Sequence, residues 1–459
     1  MVFHPRDPQY RNLSRRQFLR RSLATGVALP SAAAILAACG GDGDDPGGDP
    51  GSGNGSSQVL FGTPDSPATL PTSDDNPPIG SGLDPEAGPL VLYNWEQYIW
   101  KKVAEDFGKE YGVDVQIETF YNMEEAISKI QTGQVTFDVF FPTIDEVPRL
   151  AAAKLIQPLN HDYIPNLQAN IWPSLADPFY DKGSQYSVPY SVYHTGIGWR
   201  YDLLPMEVED VQAMDNPYSI FWEHGVPGKT GIYDVSRDAL VLAMYHLEGN
   251  TVDPNTTDPA KIAAAKQALI ELDEMLDLRV TIDGAYVGIP EGRYALHQAW
   301  SGDMLSTPWY TADPAEENGL MRYYWPARDG HGGVYDNDTY VIPKDSQNPV
   351  LAHHFLNYML DNDHSMKNFS WVGYQAPLNA LDPDDVIANG WPGLEGYFSW
   401  EWKAPKGENW SNLTNAIVRE EDTEVGSRFT GIPLESLTMW NDAFSEFRAG
   451  ASTEEDPEA

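Results

Sequence analysis

Between Leu90 and Phe141 short apolar runs alternate with amphipathic stretches, and this alternation restricts the fold more than any other feature of the chain. Leu90-Val91-Leu92-Tyr93-Asn94 suits a strand buried on both faces. Ile99, Val103, Phe107 and Tyr111 then recur at every fourth position, while Lys101, Lys102, Glu105, Asp106, Lys109 and Glu110 fill the other faces; this predicts a helix that stops at Gly112. Val113, Val115 and Ile117 alternate with Asp114, Gln116 and Glu118, the period of a strand. Met123 to Ile130 reads as a second helix closed by Gly133, and Phe137 to Phe141 as a third strand ended by Pro142. The order βαβαβ predicts the start of an open α/β sheet.

Ligands of such sheets sit beyond the carboxyl ends of the strands. Two loops are thereby marked: Asn94-Trp95-Glu96-Gln97-Tyr98 and Pro142-Thr143-Ile144-Asp145. In the first, indole and phenol faces bracket polar residues, a wall that attracts cations and covers methylenes. The body from Leu90 to Gly450 is roughly 360 residues, more than one core organises, so two lobes are expected.

Ahead of the body, Ser14-Arg15-Arg16-Gln17-Phe18-Leu19-Arg20 precedes a small-residue apolar run ending in Leu36-Ala37-Ala38-Cys39. The arginine pair, the short Ala-rich run and the small-residue cleavage site predict a twin-arginine export signal over residues 1–38. Cys39 is the only cysteine, so no disulfide can form within the chain, and it stands where a lipobox places a lipid-modified residue. No later run approaches the roughly 18 apolar residues of a membrane helix. The expectation is a periplasmic or cell-surface protein held to the membrane by its lipid alone. Residues 39–89, rich in Gly, Pro, Ser and Asp, are expected to form a flexible linker.

The formal net charge is -39, and loss of six arginines and one aspartate with residues 1–38 makes it about -44. That excludes nucleic acid as a partner and permits attraction of cations, although it serves solubility equally well. Catalytic signatures are absent: no Gly-x-Ser-x-Gly, no His-Glu-x-x-His, no phosphate-cradling glycine loop. His353 and His354 would point about 100° apart on a helix and do not pair as metal ligands. No cofactor, metal or enzymatic activity is expected; the remote alternative is a secreted glycoside hydrolase drawing a carboxylate pair from 68 acidic residues, with some of the 14 tryptophans stacking on sugar.

Tyr93-Asn94-Trp95-Glu96-Gln97-Tyr98 resembles the Tyr-Asn-Trp-x-x-Tyr opening of bacterial spermidine/putrescine-binding proteins, the polyamine branch of the periplasmic solute-binding proteins that feed ABC importers. The likeness continues in order through Phe137 to Thr143, Tyr186 to Tyr190, Asn255 to Pro259, Glu291-Gly292, Ala299-Trp300-Ser301-Gly302, Asp338 to Pro343 and Gly373-Tyr374. It implies the type II periplasmic-binding-protein fold, two α/β lobes joined by hinge strands around an interlobe cleft. One lobe would take 90–196 and 336–382, the other 197–335 and 383–459. It further implies capture of a polyamine by a monomer and delivery to an ABC permease and ATPase complex; the alternative is a binding protein for a sugar, an amino acid or a thiamine-like cation.

A polyamine carries an ammonium every few methylenes, so its site needs spaced carboxylates with aromatic planes between them. By the resemblance, Trp95, Tyr98, Trp300 and Tyr374 form aromatic walls, Asp338 and Asp238 pair with ammonium groups, and Thr143 supplies a hydroxyl. The chain also departs from the pattern. Gln97 replaces an acid, with Glu96 one residue earlier; Val235 replaces another, with Asp234 beside it; Asp336 stands for a tryptophan and Asp145 for a tyrosine. The tryptophan-rich stretch 378–430, with Trp391, Trp400, Trp402 and Trp410, has little family likeness and is expected to pack on the second lobe.

Overall fold

The βαβαβ unit is formed by β1 (Leu90–Trp95), α1 (Lys101–Tyr111), β2 (Val115–Phe120), α2 (Met123–Gln131) and β3 (Val139–Phe140). The computed structural model describes residues 59–121, 123–133, 135–311, 318–389, 391–392, 413 and 415–450. β1 pairs in parallel with β2, Leu90 opposite Val115, and with β3, Leu92 opposite Val139. Val103 and Phe107 bury one face of α1, and Gly112 closes it with a φ of 70°. β3 is shorter than its five-residue apolar run because the chain turns at Pro142, whose carbonyl accepts the Thr339 N–H at 3.1 Å.

After α3 (Val147–Ala152) comes β4 (Ser187–Arg200), buried at every position except Tyr193. The second half of the body supplies β5 (Thr230–Tyr233), α4 (Ser236–Glu248), α5 (Pro259–Leu276), β6 (Arg279–Thr281), β7 (Leu296–Trp300), α6 (Ser301–Ser306), β8 (Met321–Tyr324), β9 (Val334–Val341), α7 (Pro349–Met359), α8 (Asn362–Val372) and α9 (Leu434–Gly450). The sheet runs β2-β1-β3-β9-β4-β7-β5-β6, with β8 also on β4. β4 pairs antiparallel with β9 from Ser187 opposite Val341 to Thr195 opposite Val334, and beyond that point with β7 and β8. Long, buried and shared, β4 and β9 are the strands that join the two lobes of the fold. On one side the core gathers Leu92, Phe107, Phe355 and Leu356; on the other, Ile197, Trp199, Leu240, Leu269, Trp440 and Phe447.

The signal segment, Cys39 and residues 40–58 lie outside the described residues. Residues 59–89, assigned by composition to the flexible linker, are instead docked on the body. Leu70 is 2% exposed, the Asn76 amide donates to the Ile156 carbonyl at 2.9 Å, and Tyr186 Oη donates to the Pro71 carbonyl at 2.7 Å. Ala68 and Phe179 share a main-chain hydrogen bond of 2.8 Å, and the Arg149 guanidinium lies 5.0 Å from the Phe61 ring. A few apolar anchors and main-chain hydrogen bonds hold a segment too polar to form a core of its own.

The stretch after 383 divides between the two cores. Leu413 and Ala416 to Val418 join the first, where Gln375 exchanges hydrogen bonds of 2.8 and 3.0 Å with Val418, and α9 packs into the second. Leu413 and Ala416 to Val418 meet a core that also holds Tyr323 and Trp325, and Arg328 donates to the Asn415 and Ile417 carbonyls at 3.0 and 2.8 Å; Trp400, Trp402 and Trp410 are outside the described residues. His353 is a core residue: Nδ1 donates to the Pro349 carbonyl at 2.6 Å and Nε2 accepts the Asn160 N–H at 3.0 Å. Among the described residues no helix is long and apolar enough to cross a membrane.

Candidate ligand-binding cleft

The loops after β1 and β3 converge on β9. Thr143 bridges to Asp338 through the main chain, and Tyr98 Oη donates to Asp338 Oδ2 at 2.7 Å while lying 2.6 Å from Ser191 Oγ. The Tyr98 ring meets Tyr374 edge-on at 4.7 Å. Tyr374 reaches this place because Gly373, at φ 76°, lets the chain pass so close to the Gly302 carbonyl that an added Cβ would sit 2.1 Å from it. Asp338 is buried, and its second oxygen, Oδ1, has no hydrogen-bond partner among the described residues. Burial, reinforced by the charges of Asp336, Asp145 and Asp238 and opposed by the Tyr98 hydrogen bond, pushes its carboxyl up to about 8.

Asp238 approaches from the first turn of α4. It accepts hydrogen bonds from Trp300 Nε1 at 3.1 Å and Thr195 Oγ1 at 3.2 Å, and burial raises its carboxyl to about 6. Trp300, at the end of β7, stacks on Tyr233 with centroids 3.8 Å apart. Tyr193 of β4 stands between the groups, 6.2 Å from the Trp300 ring and 6.0 Å from Tyr374. Burial and four carboxylates, Asp338, Asp336, Asp238 and Asp145, hold its phenol protonated. The cleft thus joins several acids and aromatic planes, drawn from both halves of the sheet.

The two acids standing in aromatic positions have cations of their own. Asp145 accepts from Thr143 Oγ1 at 2.7 Å and lies 3.5 Å from Arg237 Nη1. Arg237 is buried, donates to the Thr430 carbonyl at 2.9 Å and lies 4.3 Å over the Phe429 ring. Asp336 accepts from Arg428 Nη2 at 3.1 Å and from the Asn337 and Phe429 N–H groups at 2.8 and 3.1 Å; burial raises its carboxyl to about 6 against the pull of Arg428. Sequence reasoning missed both arginines. The signal for them was the acid-for-aromatic exchange itself, since a buried carboxylate calls for a cation; nothing in the spacing pointed to Arg428, 92 residues from Asp336.

The other expected site residues are more peripheral. Trp95 is half-buried, its Nε1 donating to the Phe141 carbonyl at 3.0 Å and its ring 4.7 Å from Phe120. Glu96 and Gln97 are exposed, with Gln97 at φ 56°; partial loss of solvent, reinforced by Asp283, raises the Glu96 carboxyl. Asp234 pairs with Arg448 of α9 and does not join the cluster. Behind the aromatic walls, Asp303 accepts from Tyr233 Oη at 2.6 Å and Tyr374 Oη at 2.7 Å, and burial raises it to about 7. Among the described residues no group of His, Cys, Asp and Glu is arranged to hold a metal ion.

A model of the bacterial extracellular solute-binding protein family matches residues 102–391. The chain belongs to that family. This solute-binding protein is 27% identical over 307 residues to the putrescine/cadaverine-binding protein of Pseudomonas aeruginosa, covering 66% of this chain and 83% of the relative. It is 25% identical over 325 residues to the spermidine/putrescine-binding periplasmic protein of Escherichia coli, covering 68% and 86%. The Tp0655 lipoprotein of Treponema pallidum has the same fold, with a TM-score of 0.59 at 20% identity over 78% of this chain and 98% of that one. The candidate site of the solute-binding protein draws on the loop after β1, on β9 and on the end of β7.

Proposed function

We propose that this solute-binding protein captures a polyamine outside the cytoplasm and passes it to an ABC permease and ATPase complex. The observation that carries this reading is Asp338: a buried carboxyl with one neutral donor, an unpartnered oxygen and aromatic rings around it. An arriving ammonium would complete its hydrogen bonds and balance its charge. Asp238 is a second acid of the same kind, and Trp300, Tyr193 and Tyr374 can cover the methylenes between ammonium groups. The similarity to the putrescine/cadaverine-binding protein of Pseudomonas aeruginosa and the spermidine/putrescine-binding protein of Escherichia coli supports the same ligand class.

Calorimetric titration with polyamines, sugars and amino acids tests the proposal. Saturable one-to-one polyamine binding that persists in 0.5 M salt, where the Debye length is about 4 Å, is expected of a closed cleft. Sugar or amino-acid binding without an amine response would overturn it. We further propose that Cys39 carries a lipid that anchors the protein as a monomer. Cys39→Ser should leave the protein folded and release it from membranes; sedimentation with membranes after a salt wash would contradict this.

A further inference from the structure

The acids of the cleft fall into two kinds. Asp145 and Asp336 face the chain's own guanidiniums, Arg237 at 3.5 Å and Arg428 at 3.1 Å. Among the described residues Asp338 and Asp238 accept hydrogen bonds from neutral donors only, Tyr98 for the first and Trp300 and Thr195 for the second, although the Arg237 charge also acts on Asp238. Asp303 is no further claimant, because two phenols take both its oxygens, and Glu96 is solvated. We infer that Arg237 and Arg428 act as built-in cations that leave room for two ligand charges, so the cleft selects a short diamine over a triamine such as spermidine.

Spacing agrees with the charge count. Ser191, which shares the Tyr98 hydroxyl with Asp338, and Thr195, which donates to Asp238, lie four residues apart on one face of β4. That is about 13 Å along a strand. A four- or five-carbon diamine, with its nitrogens about 6–7 Å apart, fits within that span with room for a hydrogen bond of about 2.8 Å at each end. A third ammonium would meet a carboxylate already paired with arginine, or the arginine itself.

The selectivity presupposes polyamine capture, and the test keeps the two apart. Putrescine, cadaverine and spermidine are titrated into the wild-type protein, Arg428→Gln, Arg237→Gln and the paired variant Asp336→Asn/Arg428→Gln. The wild type should bind a diamine at least tenfold tighter than spermidine. Either single arginine variant, by leaving one more carboxylate unbalanced, should move that ratio at least tenfold toward spermidine. The paired variant, which removes one charge of each sign, should restore the wild-type ratio. Equal or tighter spermidine binding by the wild type, which requires no variant to fold, overturns the inference alone, as does an unchanged ratio in both single variants. Absence of amine binding altogether overturns the polyamine reading and the diamine preference with it.

Discussion

Asp338 and Asp422 are both buried carboxylates facing β4, yet their surroundings are opposite. Asp422 accepts from Arg328 Nε at 2.8 Å and Nη2 at 2.7 Å, from the Arg419 N–H at 2.7 Å, and from His194 Nε2 at 2.9 Å. Burial works against ionisation, but the hydrogen bonds from Arg328 and His194 outweigh it and hold the carboxyl well below the usual range. Asp338, also buried, accepts from one phenol, and its carboxyl rises to about 8. Burial alone thus does not reveal a role; the number of donors does. A carboxylate with all its donors fastens the fold, here tying the segment around 415–422 to β4, whereas one left short is ready for a ligand.

The largest effect that sharpens this contrast is loss of the fully bonded acid. Asp422→Ala leaves Arg328 without its carboxylate and should cost about 3–5 kcal/mol of stability in urea unfolding; a loss below about 1 kcal/mol would break the comparison. The mirror experiment is Asp338→Asn, which should weaken polyamine binding by about 2–5 kcal/mol while leaving the ligand-free protein at least as stable. A destabilised free protein with normal affinity would place Asp338 with Asp422 instead. Smaller again, Trp300→Ala should reduce affinity by about 1–3 kcal/mol through lost apolar area and cation–π contact. A merely structural Trp300 would lower the melting temperature and leave affinity unchanged.

pH separates the same two regions. The folded pKa of Asp338 lies above its unfolded value, so the folded state holds the extra proton; its contribution to stability is fully present below about 4 and is lost as pH rises through about 8. The folded pKa of Asp422 is depressed, so its contribution is present above about 4 and is lost as pH falls further. Asp338→Asn should therefore remove a loss of stability between pH 5 and 8, visible in urea midpoints of the free protein. Identical pH profiles for mutant and wild type would contradict this assignment. The smallest effect concerns the docked segment: Phe61→Ala should cost about 0.5–1 kcal/mol through its contact with Arg149, and an unchanged melting temperature would show that 59–89 adds nothing to the fold.

The sheet start was legible because Leu90 to Phe141 carries clean strand and helix periods with glycine stops. The loops at Trp95 to Tyr98 and Thr143 to Asp145 followed from topology, and Asp338 from the resemblance; in the structure Tyr98 and Thr143 both meet Asp338. Composition misjudged 59–89, because single anchors such as Leu70 and Phe61 do not register in a polar tract. That Asp145 and Asp336 need cations followed from the acid-for-aromatic exchanges, but that Arg237 and Arg428 supply them was not legible, since each pair joins residues 92 positions apart. Asp234, adjacent in sequence to a lost site acid, is drawn instead to Arg448 on α9.

The most direct test of the claim that an under-bonded acid makes the site is the proton balance of binding. Putrescine is titrated calorimetrically at pH 7 in two buffers of different ionisation enthalpy. If Asp338 is protonated in the free protein and ionised by the arriving ammonium, wild-type binding should release about one proton per ligand and Asp338→Asn close to none. Binding by the wild type with no proton released, or the same release from both proteins, would contradict the account.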